Sequence, residues 1–279
     1  MGEQIKVDSH HHFWELGRLE YPWMPLGDPI LTRNYLPEDL APILKQNQVS
    51  KTVLVQATHS LEEANFLLDL AESTDFVAGV VAWVDLADPN VGNVLDELQR
   101  RSGMVGVRHQ VHDEPDDSWL VRKEVVRGLR ELTRRDLAYD LLLRPQHIKY
   151  VLGLVDQVPH LRMVVDHIAK PLISQKIMEP WASDISALSD LPGIYCKISG
   201  MVTEANHSEW NVDDIRPYAA HVVEQFGYDR IMWGSDWPVC LLAAEYGQVM
   251  HSSTEAVGPM SDDQMAKFIG ANAIQFYKL

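Results

Sequence analysis

Cysteine is nearly absent from this 279-residue chain: only Cys196 and Cys240, far apart in sequence, carry a thiol. That scarcity excludes a disulfide framework and a thiolate metal cluster, and it fits a reducing cytoplasm. Long apolar runs are missing as well. No stretch approaches the roughly 20 residues that span a bilayer. The first residues carry charges and histidines in place of an apolar signal region, so a cytoplasmic location is expected. Basic residues are in deficit, with 24 Lys and Arg against 40 Asp and Glu and a formal charge of −16. Nucleic acids and anionic membranes are held through Lys and Arg, so the balance argues against both and for a small-molecule partner. Two catalytic signatures are also lacking. No Gly-rich turn follows the first apolar run, as a dinucleotide-binding sheet would require. No G-x-S-x-G elbow is present to present a serine nucleophile. Cys240 lies just past the last apolar run, but nothing marks it as an activated thiolate.

What is present is an ordinary globular composition, 46% hydrophobic and 23% charged, with core enough to need no staples. Eight apolar runs read as strands: residues 5–12, 52–57, 77–84, 104–111, 138–143, 161–167, 194–199 and 230–235. Helix-length segments separate most of them, and a last helix is expected from about Ser261 to Tyr277. Continuous apolar runs, rather than alternating ones, are the mark of strands covered on both faces. Eight such units match an α/β fold, a single-domain (β/α)8 TIM barrel over residues 1–279, a fold of usually about 250 residues. A doubly wound open sheet is the alternative. The long connection from Phe13 to Pro37, with Trp14, Tyr21 and Trp23, is a candidate lid over a pocket.

In a barrel the chemistry gathers at the carboxyl ends of the strands. The first run ends in His10-His11-His12. In a strand His10 and His12 share one face, roughly 6–7 Å apart, and can converge on one ion or substrate, while His11 points the other way. A tag remnant is the bland alternative, but this run is short and sits inside a strand pattern. Asp236 ends the last strand, which neighbours the first in a closed barrel. His10, His12 and Asp236 are therefore the leading set, with a hydrogen-bonded structural seam as the bland reading. His167 ends the sixth strand as a ligand, a proton donor or an oriented partner of Asp236. Arg108 is a candidate anion or carbonyl clamp, since its planar fork suits carboxylates. Gln56, His109 and Lys197 are weaker substrate-binding candidates; Lys197 could equally pair with a carboxylate such as Asp166. His59 and Asp140 are weaker still. Trp23 and Trp237 could line the pocket or merely pack the lid.

An ordered set of motifs then carries a resemblance. Asp8-Ser9-His10-His11-His12-Phe13-Trp14, Gly106-Val107-Arg108, Asp166-His167-Ile168-Ala169-Lys170-Pro171, Lys197-Ile198-Ser199-Gly200, Gly234-Ser235-Asp236-Trp237-Pro238 and Gly270-Ala271-Asn272-Ala273 occur in sequence from residue 7 to about 277. Together they resemble the amidohydrolase superfamily, in particular the amidohydrolase-2 group with its sugar lactonases and 2-pyrone-4,6-dicarboxylate lactonase-like enzymes. The resemblance implies a hydrolase opening a small lactone, a sugar aldonolactone or a carboxylated one, with Asp236 as general base and His167 assisting. Two departures matter. Strand four offers Arg108 and His109, and strand five no histidine, where metal-rich members of the superfamily place ligands. A binuclear centre is not expected. One divalent ion, Zn2+ first, held by His10, His12 and Asp236, stays open beside metal-free hydrolysis. The rivals are a mononuclear-zinc decarboxylase, an amide hydrolase and, in a different class, a non-catalytic binding barrel. A homo-oligomer is compatible with all of these.

Overall fold

Each apolar run becomes a strand, and each strand pairs in parallel with the next, in the order β1 to β8. The computed structural model describes residues 5–25 and 27–279. The strands are β1 (Val7–His11), β2 (Lys51–Val55), β3 (Val77–Ala82), β4 (Met104–His109), β5 (Ala138–Leu141), β6 (Met163–Val165), β7 (Ile194–Ile198) and β8 (Ile231–Trp233). The barrel closes just beyond β8. His12 N donates to Trp237 O at 2.7 Å, and Asp236 N donates to His10 O at 2.8 Å. The architecture is a single-domain (β/α)8 barrel, as the spacing of apolar runs predicts.

Two apolar layers hold it. The larger lies between the strands and the surrounding helices and includes Leu54, Val80, Leu141 and Ile198. The smaller includes Val53, Val55, Val81, Val164 and Met232, covered by Ala273, Phe276 and Tyr277 of the C-terminal helix. Burial on both faces explains why the strands read as continuous apolar runs. Asn272 anchors that helix: its buried Nδ2 donates to Tyr228 O and Ile231 O, both at 2.7 Å.

The strands are shorter than the apolar runs by one to four residues. Residues such as Ala57 and Leu142 stay buried after the ladder ends, because they leave the barrel to form the walls above it. The final helix is also interrupted, as Asp262–Ala266, a π-helical turn Lys267–Ala271 and Asn272–Tyr277. The helix Tyr246–Val257 is an addition to the sequence reading. Among the described residues no helix is long and apolar enough to cross a membrane.

Candidate active site

The carboxyl end of β1 is shaped by an irregularity, since its register on β2 shifts between Asp8 and His11. Such a bulge re-aims side chains. His10 and His12 turn to one side, with their Nε2 atoms 3.2 Å apart. His11 turns away to Thr52 Oγ1, at 2.8 Å. Asp236 arrives from just past β8. Its Oδ1 lies 3.3 Å from His12 Nε2, 3.7 Å from His10 Nε2 and 3.8 Å from His167 Nε2. Four side chains from three well-separated stretches of chain thus meet at one carboxylate oxygen.

Backbone geometry holds two of them in place. Asp236 has φ +59°, and His167 begins a run of four residues, to Lys170, with φ between +47° and +59°. Left-handed backbone is costly for residues with a Cβ, so surrounding contacts must enforce it. Two glycines make room. A Cβ on Gly200 would come within 2.7 Å of the His167 ring, and one on Gly234 within 2.7 Å of His10 Cβ. These close approaches account for the glycines of the strand-seven and strand-eight motifs.

Hydrogen bonds fix where the protons sit. His12 Nδ1 donates to Val55 O at 2.8 Å, which leaves a lone pair on Nε2 facing the site. His167 Nδ1 meets Ser199 Oγ at 2.8 Å. His10 stands between two cations: Arg108 Nη1 is 3.1 Å from its Nε2, and Lys197 Nζ 3.1 Å from its Nδ1. A neutral imidazole has one lone pair, so it accepts from only one of them. Burial lowers the His10 pKa, Lys197 adds to that, and Asp166 opposes it; the net result is a neutral ring. Burial likewise pushes His167 down to about 3. For Asp236 burial alone would raise the pKa, but the neighbouring imidazoles, His167 first and then His12 and His10, outweigh it and hold the carboxyl well below its usual range. At neutral pH Asp236 is therefore ionised, and His10 and His167 are uncharged.

Beneath it lies a buried ionic layer. Lys197 Nζ is 2.6 Å from Asp140 Oδ2 and 3.0 Å from Asp166 Oδ1. Arg108 Nη1 is 3.0 Å from Asp166 Oδ2. Its Nη2 donates to Gln56 Oε1 at 3.0 Å and also to Gln56 O. The Arg108 fork is therefore already engaged, and it acts as a fixed positive charge under the site. Tyr277, from the C-terminal helix, donates to Asp140 Oδ2 at 2.7 Å.

Above Asp236 opens a cavity of about 250 Å³. Of the sequence candidates, His12, Trp23, Arg108, His167 and Asp236 line it. His10, Gln56 and Lys197 lie fully buried below, touching it only through their partners. Trp237 is 1% exposed and packs edge-on against Tyr35 and Phe13, so it is a wall behind the pocket. His109 stacks on Trp119 and lies outside the lining. Trp23 is held at the mouth by its Nε1 bond to Ala57 O at 2.6 Å. Gln110, His112, Asp113 and Lys170 also line the cavity, although sequence reasoning did not single them out. The first three follow β4, in a loop whose course no periodicity reveals.

The donor set suits a metal ion. His10 Nε2, His12 Nε2 and Asp236 Oδ1 lie 3.2–3.7 Å apart. A tetrahedral Zn2+ site with bonds of about 2.0–2.1 Å has edges of about 3.3 Å. The His12 tautomer already offers its lone pair inward, with a backbone carbonyl holding the opposite nitrogen, as metal-binding histidines usually do.

The family model described as Amidohydrolase (Amidohydro_2) matches residues 7–279. An L-fucono-1,5-lactonase of Burkholderia ambifaria is 34% identical over 99% of this chain and 96% of its own. An L-fucono-1,5-lactonase of Burkholderia multivorans is also 34% identical, over 88% of this chain and 86% of its own. The crystal structure of an amidohydrolase from Burkholderia multivorans with bound zinc superimposes with a TM-score of 0.93 at 32% identity, covering 99% of both chains.

Proposed function

The chain belongs to the amidohydrolase-2 family, and from that premise we propose that it opens a small sugar lactone, a 1,5-lactone of a six-carbon sugar acid first, by attack of water. The protein is a lactone hydrolase in the same broad sense as its full-length relatives. The observation that carries the finer reading is Asp236, an ionised carboxylate ringed by His10, His12 and His167 at the floor of an open cavity.

A lactone is an activated ester, so the barrier yields to an oriented water, a base and a polarised carbonyl. Asp236 takes the proton from the attacking water. With Ser199 donating to His167 Nδ1, the His167 Nε2–H faces the cavity and donates to the carbonyl oxygen as charge builds there. Arg108, fixed below, adds positive potential. As the tetrahedral intermediate collapses, the ring oxygen leaves and receives the proton held by Asp236. Gln110, His112 and Asp113 are placed to hydrogen-bond ring hydroxyls. Where an ion is bound, His10, His12 and Asp236 hold it, and it supplies Lewis-acid polarisation of the carbonyl.

A pH-indicator assay over a panel of aldonolactones, carboxylated lactones and amides, with and without chelator, tests this reading. Hydrolysis of the neutral 1,5-lactones should far outrun that of the amides. Rates no higher than the buffer background for every lactone would overturn it. Loss of rate in chelator, with recovery on adding Zn2+, assigns the ion to the reaction; an unchanged rate assigns the polarisation to His167 and Arg108.

A further inference from the structure

A second cavity, of about 300 Å³, opens beside the first and shares Trp23, Gln110 and Asp113 with it. Either cavity alone sits at or below the low end of the roughly 300–1,000 Å³ range of small-molecule sites, whereas the joined pair falls inside it. The larger space therefore suits a ligand longer than one sugar ring.

Its lining is specific. His59 is exposed on the cavity side and forms the end of an aromatic pile. Its ring lies 4.1 Å from His109 at 27°, and His109 lies 3.7 Å from Trp119 at 11°. His59 Nε2 accepts the Gln110 N–H at 3.1 Å. The ring proton therefore sits on Nδ1, which has no acceptor among the described residues. Desolvation against the pile, then the adjoining His109, push the His59 pKa down to about 4, so the ring is an uncharged platform at neutral pH. Two carboxylates stand around it. Trp83 Nε1 donates to His109 Nδ1 at 3.1 Å, so His109 Nε2 carries the proton that Glu114 Oε1 accepts at 2.8 Å. Asp113 Oδ1 is 3.2 Å from His112 Nε2. Each carboxylate is thus anchored through one oxygen, and its second oxygen has no partner among the described residues.

A flat neutral ring for a C–H face, flanked by anchored acceptors for hydroxyl groups, is the chemistry that holds a neutral sugar. No Lys or Arg is among the described residues lining this cavity, so an anionic group would meet two carboxylates and no cation of the lining. We propose that the second cavity is a glycosyl subsite, and that the enzyme accepts lactones whose ring carries a second, neutral sugar seated on His59 between Asp113 and Glu114. The proposal rests on the lactonase reading for its choice of substrate.

The test compares an aldono-1,5-lactone with the same lactone carrying a neutral glycosyl substituent. For the parent enzyme the glycosylated lactone should show a kcat/KM about ten-fold higher, equivalent to about 1.4 kcal/mol. His59→Ala and Glu114→Gln should each erase that advantage and leave the unsubstituted lactone within about two-fold of the parent. Glu114→Gln preserves the size of the side chain and so guards against collapse of the pile. Equal or slower turnover of the glycosylated lactone overturns the subsite, as does an equal loss on both substrates. Calorimetry with the ring-opened acids, with and without the glycosyl group, separates the two readings. If no lactone is hydrolysed, yet the glycosylated acid binds about ten-fold tighter in a His59-dependent way, the subsite stands and the lactonase reading falls. If both acids bind equally, the subsite falls whatever the turnover.

Discussion

At Asp236 the balance between burial and neighbouring groups decides the chemistry. A buried carboxyl alone would hold its proton and could not act as a base, but the ring of imidazole nitrogens keeps this one ionised. The His12 Nδ1–H is committed to Val55 O, which fixes the ring with its Nε2 3.2 Å from His10 Nε2 and 3.3 Å from Asp236 Oδ1. Asp236→Asn keeps the shape and an acceptor oxygen but removes the base. The variant should lose about 10²- to 10⁴-fold in kcat/KM, the usual span for a general base, while its circular dichroism spectrum and melting curve stay close to the parent's. Activity within about ten-fold of the parent would take the base role away from Asp236. His10, by contrast, is 0% exposed and bracketed by Arg108 and Lys197. Its ring is therefore absent from the cavity lining.

Between elements, the site depends on close approaches that only glycine allows. Gly200, at φ +63°, follows β7 and lies against the ring of His167 on the neighbouring strand end. Gly200→Ala combines left-handed strain of about 1–2 kcal/mol with a clash against a ring that cannot retreat. Steady-state kinetics should show kcat lowered at least ten-fold with a smaller change in KM, and differential scanning calorimetry a lower Tm. Retention of kcat would mean that His167 moves without penalty. A second element-level device is Glu63, on the helix Leu61–Glu72. Its buried carboxyl accepts the N–H groups of Ala57 and Thr58, where β2 runs out toward the cavity. Burial pushes its pKa from 4.5 to about 8. Its folded value exceeds its unfolded one, so its stabilising effect is full below about pH 4.5 and is lost as pH rises through 8. Glu63→Gln should therefore flatten the fall of Tm between pH 5 and 8, with the variant gaining on the parent as pH rises; parallel Tm profiles would refute the shift. At this scale the sequence was informative where periodicity is strong. All eight strands followed from the apolar runs. The helix Tyr246–Val257 did not, because its Gly247, Ser252, Ser253 and Thr254 have weak helical preference, and burial against its neighbours decides its state instead.

Across the whole molecule, function depends on closing the barrel, since the ends of β1 and β8 must meet to bring Asp236 to His10 and His12. A pair of polar residues on strands far apart in sequence was legible because polar residues at the ends of apolar runs are conspicuous. The joint itself was not, because its key group, Asp8, lies within the apolar run and looks like part of a strand. In the fold Asp8 is 0% exposed and accepts from Ser235 N at 2.9 Å, His10 N at 3.1 Å, Ser235 Oγ at 2.6 Å and Tyr246 OH at 3.0 Å. That Trp237 packs behind the pocket instead of lining it was equally unreadable, since a tryptophan beside a site residue has the same sequence signature whether it faces solvent or core. β8 has only three residues, so these bonds replace a longer ladder at the seam. Ser235 is the pivot, because its hydroxyl donates to Asp8 and also accepts the Trp237 N–H at 3.0 Å. Ser235→Ala leaves a buried carboxylate oxygen and a buried N–H each short of a partner, a loss of about 1–3 kcal/mol. For a chain of this size that corresponds to a Tm lower by roughly 2–5 °C. Because the seam also aims Asp236, kcat should fall together with Tm in this variant, whereas an equally destabilising substitution at the barrel's other end, such as Tyr277→Phe, should lower Tm with a smaller effect on kcat. Calorimetry and kinetics on the two variants side by side make the comparison. Equal losses of kcat at equal Tm would show that the seam closes the barrel without directing the carboxylate.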